Sequence, residues 1–80
     1  MRINKFSRRW TVLNYVVADP NVWTCRAIAD DLGDNFEKIT DAAISLRQRG
    51  MIVRGEKVGR SRVLIPTPIG VETLYETLSR

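Results

Sequence analysis

The stretch TCRAIADDLGDNFEKITDAAISLRQRG, residues 24–50, has the pattern of two short helices joined by a tight turn. Thr24 suits the N-cap of the first helix, and Gly33 suits its end because glycine readily adopts a positive φ. A second helix is predicted over residues 35–49, where apolar residues recur at the i, i+3, i+4, i+7 spacing of one helix face. The pattern predicts a helix-turn-helix, in which the small Ala29 lets the two helices cross closely.

Residues 51–66, MIVRGEKVGRSRVLIP, switch from helical periodicity to two runs of β-prone residues. The runs flank Gly59-Arg60, which predicts a hairpin with a two-residue turn that has glycine first. Thr67 is a suitable N-cap and Pro68 a suitable first-turn residue for a last helix. A helix-turn-helix followed directly by a basic hairpin predicts a winged helix-turn-helix, an α+β fold that is mostly helical.

The residues before this stretch predict another helix, from about Ser7 to Ala18, with Asp19-Pro20 ending it. Its core stripe is expected at Trp10, Leu13 and Val17. Its apolar surface extends well past that stripe, so part of it is expected to meet a second copy of the chain. The predicted dimer interface consists of Val12, Tyr15 and Val16.

Four expectations concern how these elements pack. Val22-Trp23 is expected to form a small strand, and Ile28 and Leu32 are expected to point into the core. The inward face of the second helix of the helix-turn-helix is expected at Ile39, Ala42, Ala43 and Leu46. The apolar face of the last helix is expected at Val71, Leu74, Tyr75 and Leu78.

Charge is unevenly distributed along a chain whose formal net charge is +4. Residues 1–10 carry four cations and no acid, residues 19–44 carry two cations against six carboxylates, and residues 45–62 carry six cations against one carboxylate. Two basic segments therefore flank an acidic one. Basic segments indicate binding to a polyanion, so the pattern favours a nucleic-acid partner over the alternative that these are ordinary solvated faces.

Composition limits the kind of protein. At 80 residues we expect a single winged-helix domain, and no apolar run is long enough to span a bilayer. The chain has no histidine, and its single Cys25 has no metal-ligand companions, so no catalytic residue, metal or cofactor is predicted. A cytoplasmic binding module is favoured over an enzyme. The expected parts are a basic arm at 1–6, the helix-turn-helix at 25–49, the wing at 51–66 and the C-terminal helix at 68–79.

Three segments resemble MarR-like winged helix-turn-helix regulators: AIADDLG at 27–33, ITDAAISLRQRGMI at 39–52 and RSRVLIPTPIG at 60–70. In that family the corresponding pieces read roughly ELAxxLG, VSRLVxRLxxRGLV and RxxxLxLTPxG. The resemblance extends over about residues 7–72. It implies that the second helix of the helix-turn-helix enters the major groove of DNA, and that Arg60 at the wing tip reaches the minor groove or a phosphate.

The helix that would enter DNA is acidic, although a phosphate-facing helix is expected to be basic. Roughly 100° per residue places Glu37, Asp41, Ile44 and Gln48 on the face away from the core. A carboxylate can accept a hydrogen bond from cytosine N4, so such acids can contact bases while the affinity comes from cations elsewhere. The residues predicted to contact DNA are Arg8, Arg9, Asn35, Glu37, Lys38, Thr40, Asp41, Arg47, Arg54, Lys57, Arg60 and Arg62.

The leading hypothesis is a regulator of transcription that binds duplex DNA as a homodimer, in a size that suits a phage or mobile element. The alternative is a winged helix that docks on a protein of a host, replication or transcription complex. An exposed Ile44 beside Glu37 and Asp41 suits a protein partner as well as it suits DNA. Salt-dependent binding to random duplex distinguishes the two hypotheses.

Overall fold

The computed structural model describes residues 3–79, so Met1 and Arg2 of the predicted basic arm lie outside the described residues. The elements in chain order are α1 (Arg8–Ala18), α2 (Cys25–Leu32), α3 (Phe36–Gln48), β1 (Ile52–Val58), β2 (Ser61–Pro66) and α4 (Pro68–Leu78). The two strands pair antiparallel and form the wing directly after α3. The predicted winged helix-turn-helix architecture is confirmed.

Each helix begins after a residue whose side chain caps it. Ser7 and Thr24 accept a hydrogen bond from the backbone N–H three residues later, and Asn35 and Thr67 do the same for α3 and α4. Such a cap typically stabilises a helix by about 1 kcal/mol. The four capping residues therefore fix where the helices begin.

The turn between α2 and α3 has the predicted glycine terminus. Gly33 has a φ of 66° and its N–H closes the end of α2. Ile28 and Ala29 are buried in a helix that packs mainly against α3 and β2, but Leu32 is 39% exposed, so its predicted inward position is wrong. Leu32 is the last residue of the eight-residue α2, and it lines an open surface depression together with residues at the start of α1 and with Asp34.

The buried face of α1 is displaced from the predicted stripe. Val12, Leu13 and Val16 have no accessible surface, while Trp10 and Val17 lie at the edge of the core. The displacement arises because α1 packs against α3, α4 and β2 together, and its innermost side chains must be compact. A dimer interface at Val12 and Val16 is therefore wrong, since neither side chain can reach a second copy.

Tyr15, the third residue of that predicted interface, is half-buried. Its Oη donates to Asp31 Oδ2 at 2.5 Å, and its ring meets the Trp23 ring edge-on, with 4.8 Å between the centroids. The hydrogen bond to Asp31 raises the pKa of Tyr15. Tyr15 thus joins α1 to α2 within one chain, and its contact with a second copy remains a prediction.

The segment before α2 does not form the strand expected at Val22-Trp23, and the sheet in residues 3–79 has two strands. It makes two backbone hydrogen bonds to the wing, from Asn21 N to Leu64 O and from Leu64 N to Trp23 O. The positive φ of Asn21, 65°, on one side and the cap of α2 at Thr24 on the other leave too few extended residues for a strand.

Helix α4 turns a different face inward from the one predicted. Tyr75 and Leu78 are 58% and 48% exposed, so their predicted inward positions are wrong. The cause is Gly70, whose backbone lies against the Met51 carbonyl so closely that a Cβ would overlap it. This approach fixes the rotation of α4 and buries the smaller face that consists of Gly70, Thr73, Leu74 and Thr77.

Candidate nucleic-acid interface

Helix α3 presents an acidic face to solvent. Its buried stripe is the predicted one, Ile39, Ala42, Ala43 and Leu46. The far face consists of exposed side chains, Glu37, Asp41, Ile44 and Gln48. Neither Glu37 nor Asp41 forms an ion pair with any of residues 3–79. Both carboxylates are therefore available to an external partner.

An open groove of about 390 Å³ separates α3 from the wing. Five cations line it: Arg47, Arg54, Lys57, Arg60 and Arg62. Apolar and small residues form much of the rest of its lining, including Cys25, Phe36, Ala43, Ile44, Ile52 and Leu64. Within the described part of the chain, no carboxylate lines the groove. Six residues predicted to contact DNA, these five cations and Thr40, are thus brought together around one concave surface.

The wing tip has the predicted glycine-first turn. Val58 pairs with Ser61, which leaves Gly59 and Arg60 as the two-residue loop, and Gly59 has a φ of 62°. Arg60 is therefore the most distal residue of the hairpin and is exposed. Arg62, one pair below the turn, donates from Nη1 to the Gly55 carbonyl oxygen at 3.1 Å.

The opposite flank of α3 faces the N-terminal end of α1. Arg9 Nη1 donates to Ser45 Oγ at 3.3 Å, which places its guanidinium beside α3. Arg8 instead pairs with Asp34 in the turn before α3, with Nε 2.8 Å from Oδ2. This hydrogen bond raises the pKa of Arg8 and, together with one from the Asn35 N–H, lowers the pKa of Asp34. Arg8 links α1 to the turn, and its contact with DNA remains a prediction.

The other residues of α3 that are predicted to contact DNA differ in how accessible their side chains are. The side-chain oxygen of Asn35 caps the helix by accepting from the Lys38 N–H at 3.1 Å, so that oxygen is not free for a base. Lys38 is exposed on the flank near Arg9, and Thr40 is half-buried on the groove side. Burial raises the pKa of the Cys25 thiol at the groove, so the thiol is protonated at neutral pH.

Sequence reasoning missed two parts of this surface. Asp34 was counted only as part of an acidic segment, although it neutralises Arg8. Phe36 and Leu64 contribute to the groove, and neither was predicted there. The helical spacing of Phe36, Thr40 and Arg47 places them on one flank of α3, and this spacing could have indicated that Phe36 lines the groove.

No helix within residues 3–79 has the length and apolar character needed to cross a membrane. No protein-family model matches the chain, and no curated protein matches it. Solved structures do match. A transcriptional regulator of the MarR family from Rhodococcus sp. RHA1 aligns with a TM-score of 0.81 at 21% identity, over 90% of this chain and 51% of that one. The fold is the MarR-like winged helix.

Two other regulators support the same conclusion about the fold. PcaV from Streptomyces coelicolor, solved with its natural ligand, aligns with a TM-score of 0.79 at 27% identity, over 95% of this chain and 55% of PcaV. MepR from S. aureus, solved as a complex with DNA, aligns with a TM-score of 0.76 at 19% identity, over 89% of this chain and 53% of MepR. The chain spans about half the length of these MarR-like regulators.

Proposed function

We propose that the chain is a regulator of transcription that binds duplex DNA, with α3 in the major groove and the wing on the phosphate backbone. The observation that carries the proposal is the groove beside α3, lined by five cations and by no carboxylate of residues 3–79. Like charges held around one concave surface repel each other, and a polyanion relieves that repulsion. The fold shared with DNA-complexed MepR supports the same function.

The acidic face of α3 is compatible with this mode of binding. A helix with side chains is about 10–12 Å in diameter and fits a major groove about 12 Å wide. In that position the phosphates lie to the two sides of the helix, where Arg9 and the cations of the groove are. Glu37 and Asp41 project between them toward base edges, where a carboxylate can accept from cytosine N4.

Homodimerisation belongs to the proposal, with an interface that differs from the predicted one. The exposed apolar residues of α4 include Tyr75 and Leu78, and the partly buried Val71 lies on the same face at the i, i+4, i+7 spacing. We propose this stripe as the dimer interface, in place of Val12 and Val16. Two copies joined there would contact two half-sites of one DNA molecule.

A protein-docking winged helix is the second candidate, and one observation favours it. Ile44 is 37% exposed between the unpaired Asp41 and the neutral Gln48, which gives α3 an apolar patch beside a carboxylate. A protein partner on this face would need no contribution from the wing cations. Absence of salt-dependent binding to random duplex would favour this candidate over DNA binding.

The test of DNA binding is the affinity for a labelled random duplex, measured by fluorescence anisotropy over a range of salt concentrations. Replacing Arg60 and Arg62 by alanine together should reduce the slope of log K against log salt by up to about two. A control is Ala18→Glu, which also makes the net charge less positive, by one unit instead of two, but lies ten residues beyond Arg8 along α1, ~15 Å from the end near α3. A double variant with the slope of the wild type would rule out the wing as an electrostatic contact.

A further inference from the structure

The wing contains a β-bulge between Arg54 and Lys57. Arg54 pairs with Leu64 and Lys57 pairs with Arg62, so two residues of β1 lie opposite one residue of β2. In a regular strand, side chains three positions apart project from opposite faces. Here Arg54 and Lys57 are paired with residues two positions apart on β2, so both project from the same face of the wing.

This shared face is the one that meets α3. Arg54, Lys57 and Arg62 all line the groove, whereas Glu56 does not, although it lies between two of them in sequence. With regular alternation, Glu56 would share the face of Arg54, and Lys57 would lie on the other face. The bulge therefore decides which of two adjacent opposite charges enters the groove.

Gly55 allows the bulge and connects it to a third cation. A Cβ at Gly55 would lie 2.9 Å from Ile65 Cδ1 and 3.0 Å from Val63 Cγ2, so the tight packing here favours a residue without a side chain. The Gly55 carbonyl oxygen accepts from Arg62 Nη1 at 3.1 Å, which orients that guanidinium on the groove side of the wing.

We infer that the bulge at Gly55–Glu56 determines which charged side chains of the wing face the groove. It places Arg54 and Lys57 beside Arg62 on the groove face, where they bind backbone phosphates, and it holds the Glu56 carboxylate off that face. The inference rests on the proposed DNA binding. It assigns phosphate contacts on the wing to Arg54, Lys57 and Arg62.

The test exchanges the two adjacent charges in the double variant Glu56→Lys/Lys57→Glu, which keeps composition and net charge. We expect weaker binding to random duplex and a slope of log K against log salt that is smaller by at least about one, because one phosphate contact is lost. The matched control is Glu56→Gln, which should leave the slope unchanged. Thermal unfolding of each variant by circular dichroism separates this effect from loss of the fold.

An exchange variant that binds duplex with the affinity and slope of the wild type would overturn the inference. Should that variant not fold, the single changes Lys57→Gln and Glu56→Gln decide the matter. The first should lower the slope by about one and the second should not, and equal effects would overturn the inference. A wild-type chain with no affinity for duplex at low salt would instead overturn the proposed function.

Discussion

Gly70 on α4 packs directly against the main-chain carbonyl of Met51, with no room between them for a Cβ. Alanine has a higher helix propensity than glycine, so propensity alone predicts that Gly70→Ala is stabilising. The structure predicts the opposite, a decrease of about 1–3 kcal/mol in the free energy of unfolding, because the added Cβ would overlap backbone atoms that cannot rotate away. Urea unfolding measures the difference.

A matched control for this prediction is Gly55→Ala. The atoms nearest to its added Cβ are the ends of the Ile65 and Val63 side chains and the Asn21 amide oxygen, which can move. We expect Gly55→Ala to cost less than Gly70→Ala. A Gly70→Ala variant as stable as the wild type would contradict the close packing of α4 against Met51.

The ion pair between Arg8 and Asp34 predicts a defined pH dependence. Arg8 lowers the pKa of Asp34, so the stabilisation is complete above the ordinary carboxyl pKa of about 4 and is lost as pH falls through the lowered value. We therefore expect Arg8→Gln to be less stable than the wild type at neutral pH, and the difference to shrink as the pH falls through the carboxyl range. A difference that persists unchanged in acid would assign the effect of Arg8 to packing instead.

The acidic face of α3 is tested by Asp41→Asn. If α3 lies in the major groove, removing the charge should raise affinity for random duplex by reducing repulsion from phosphate. Discrimination between sites should fall if Asp41 accepts from cytosine, since a good base contact contributes ~1–3 kcal/mol. Binding to random and cognate duplexes measures both effects. If neither Asp41→Asn nor Ile44→Ala changes the affinity for random or cognate duplex, the protein-docking candidate is supported.

Self-association through α4 is tested by sedimentation velocity of Leu78→Asp. The charge on the exposed stripe should convert a dimer to a monomer, whereas Val22→Asp, at a 62% exposed position in the loop before α2, should not. A dimeric protein should protect two half-sites separated by about 34 Å, one turn of DNA. A wild-type chain that is monomeric both free and on DNA would contradict the dimer.

Local signals in the sequence predicted much of this fold. The caps at Thr24 and Thr67 and the turn glycine at Gly59 act on neighbouring backbone, so each could be recognised without the rest of the molecule. The stripe of α3 was predictable because this helix has one buried and one exposed face. These local features are sufficient to predict the winged helix-turn-helix without knowledge of any tertiary contact.

Features that depend on distant residues were not predictable in the same way. The close approach of Gly70 to Met51 rotates α4, and simple periodicity placed Leu78 inward instead. Alternation along β1 would separate Arg54 from Lys57, and only the pairing with β2 reveals the bulge that unites them. The cationic groove therefore emerged from the structure, although its individual cations had been predicted.

The most direct test of DNA binding through this groove is the salt dependence of wild-type affinity for random duplex. Five cations that each contact one phosphate predict a slope of log K against log salt of about −4.5 per bound chain, from roughly −0.9 per contact. A steep linear fall close to that value would support DNA binding through the groove. A slope near zero, or no binding at low salt, would contradict it.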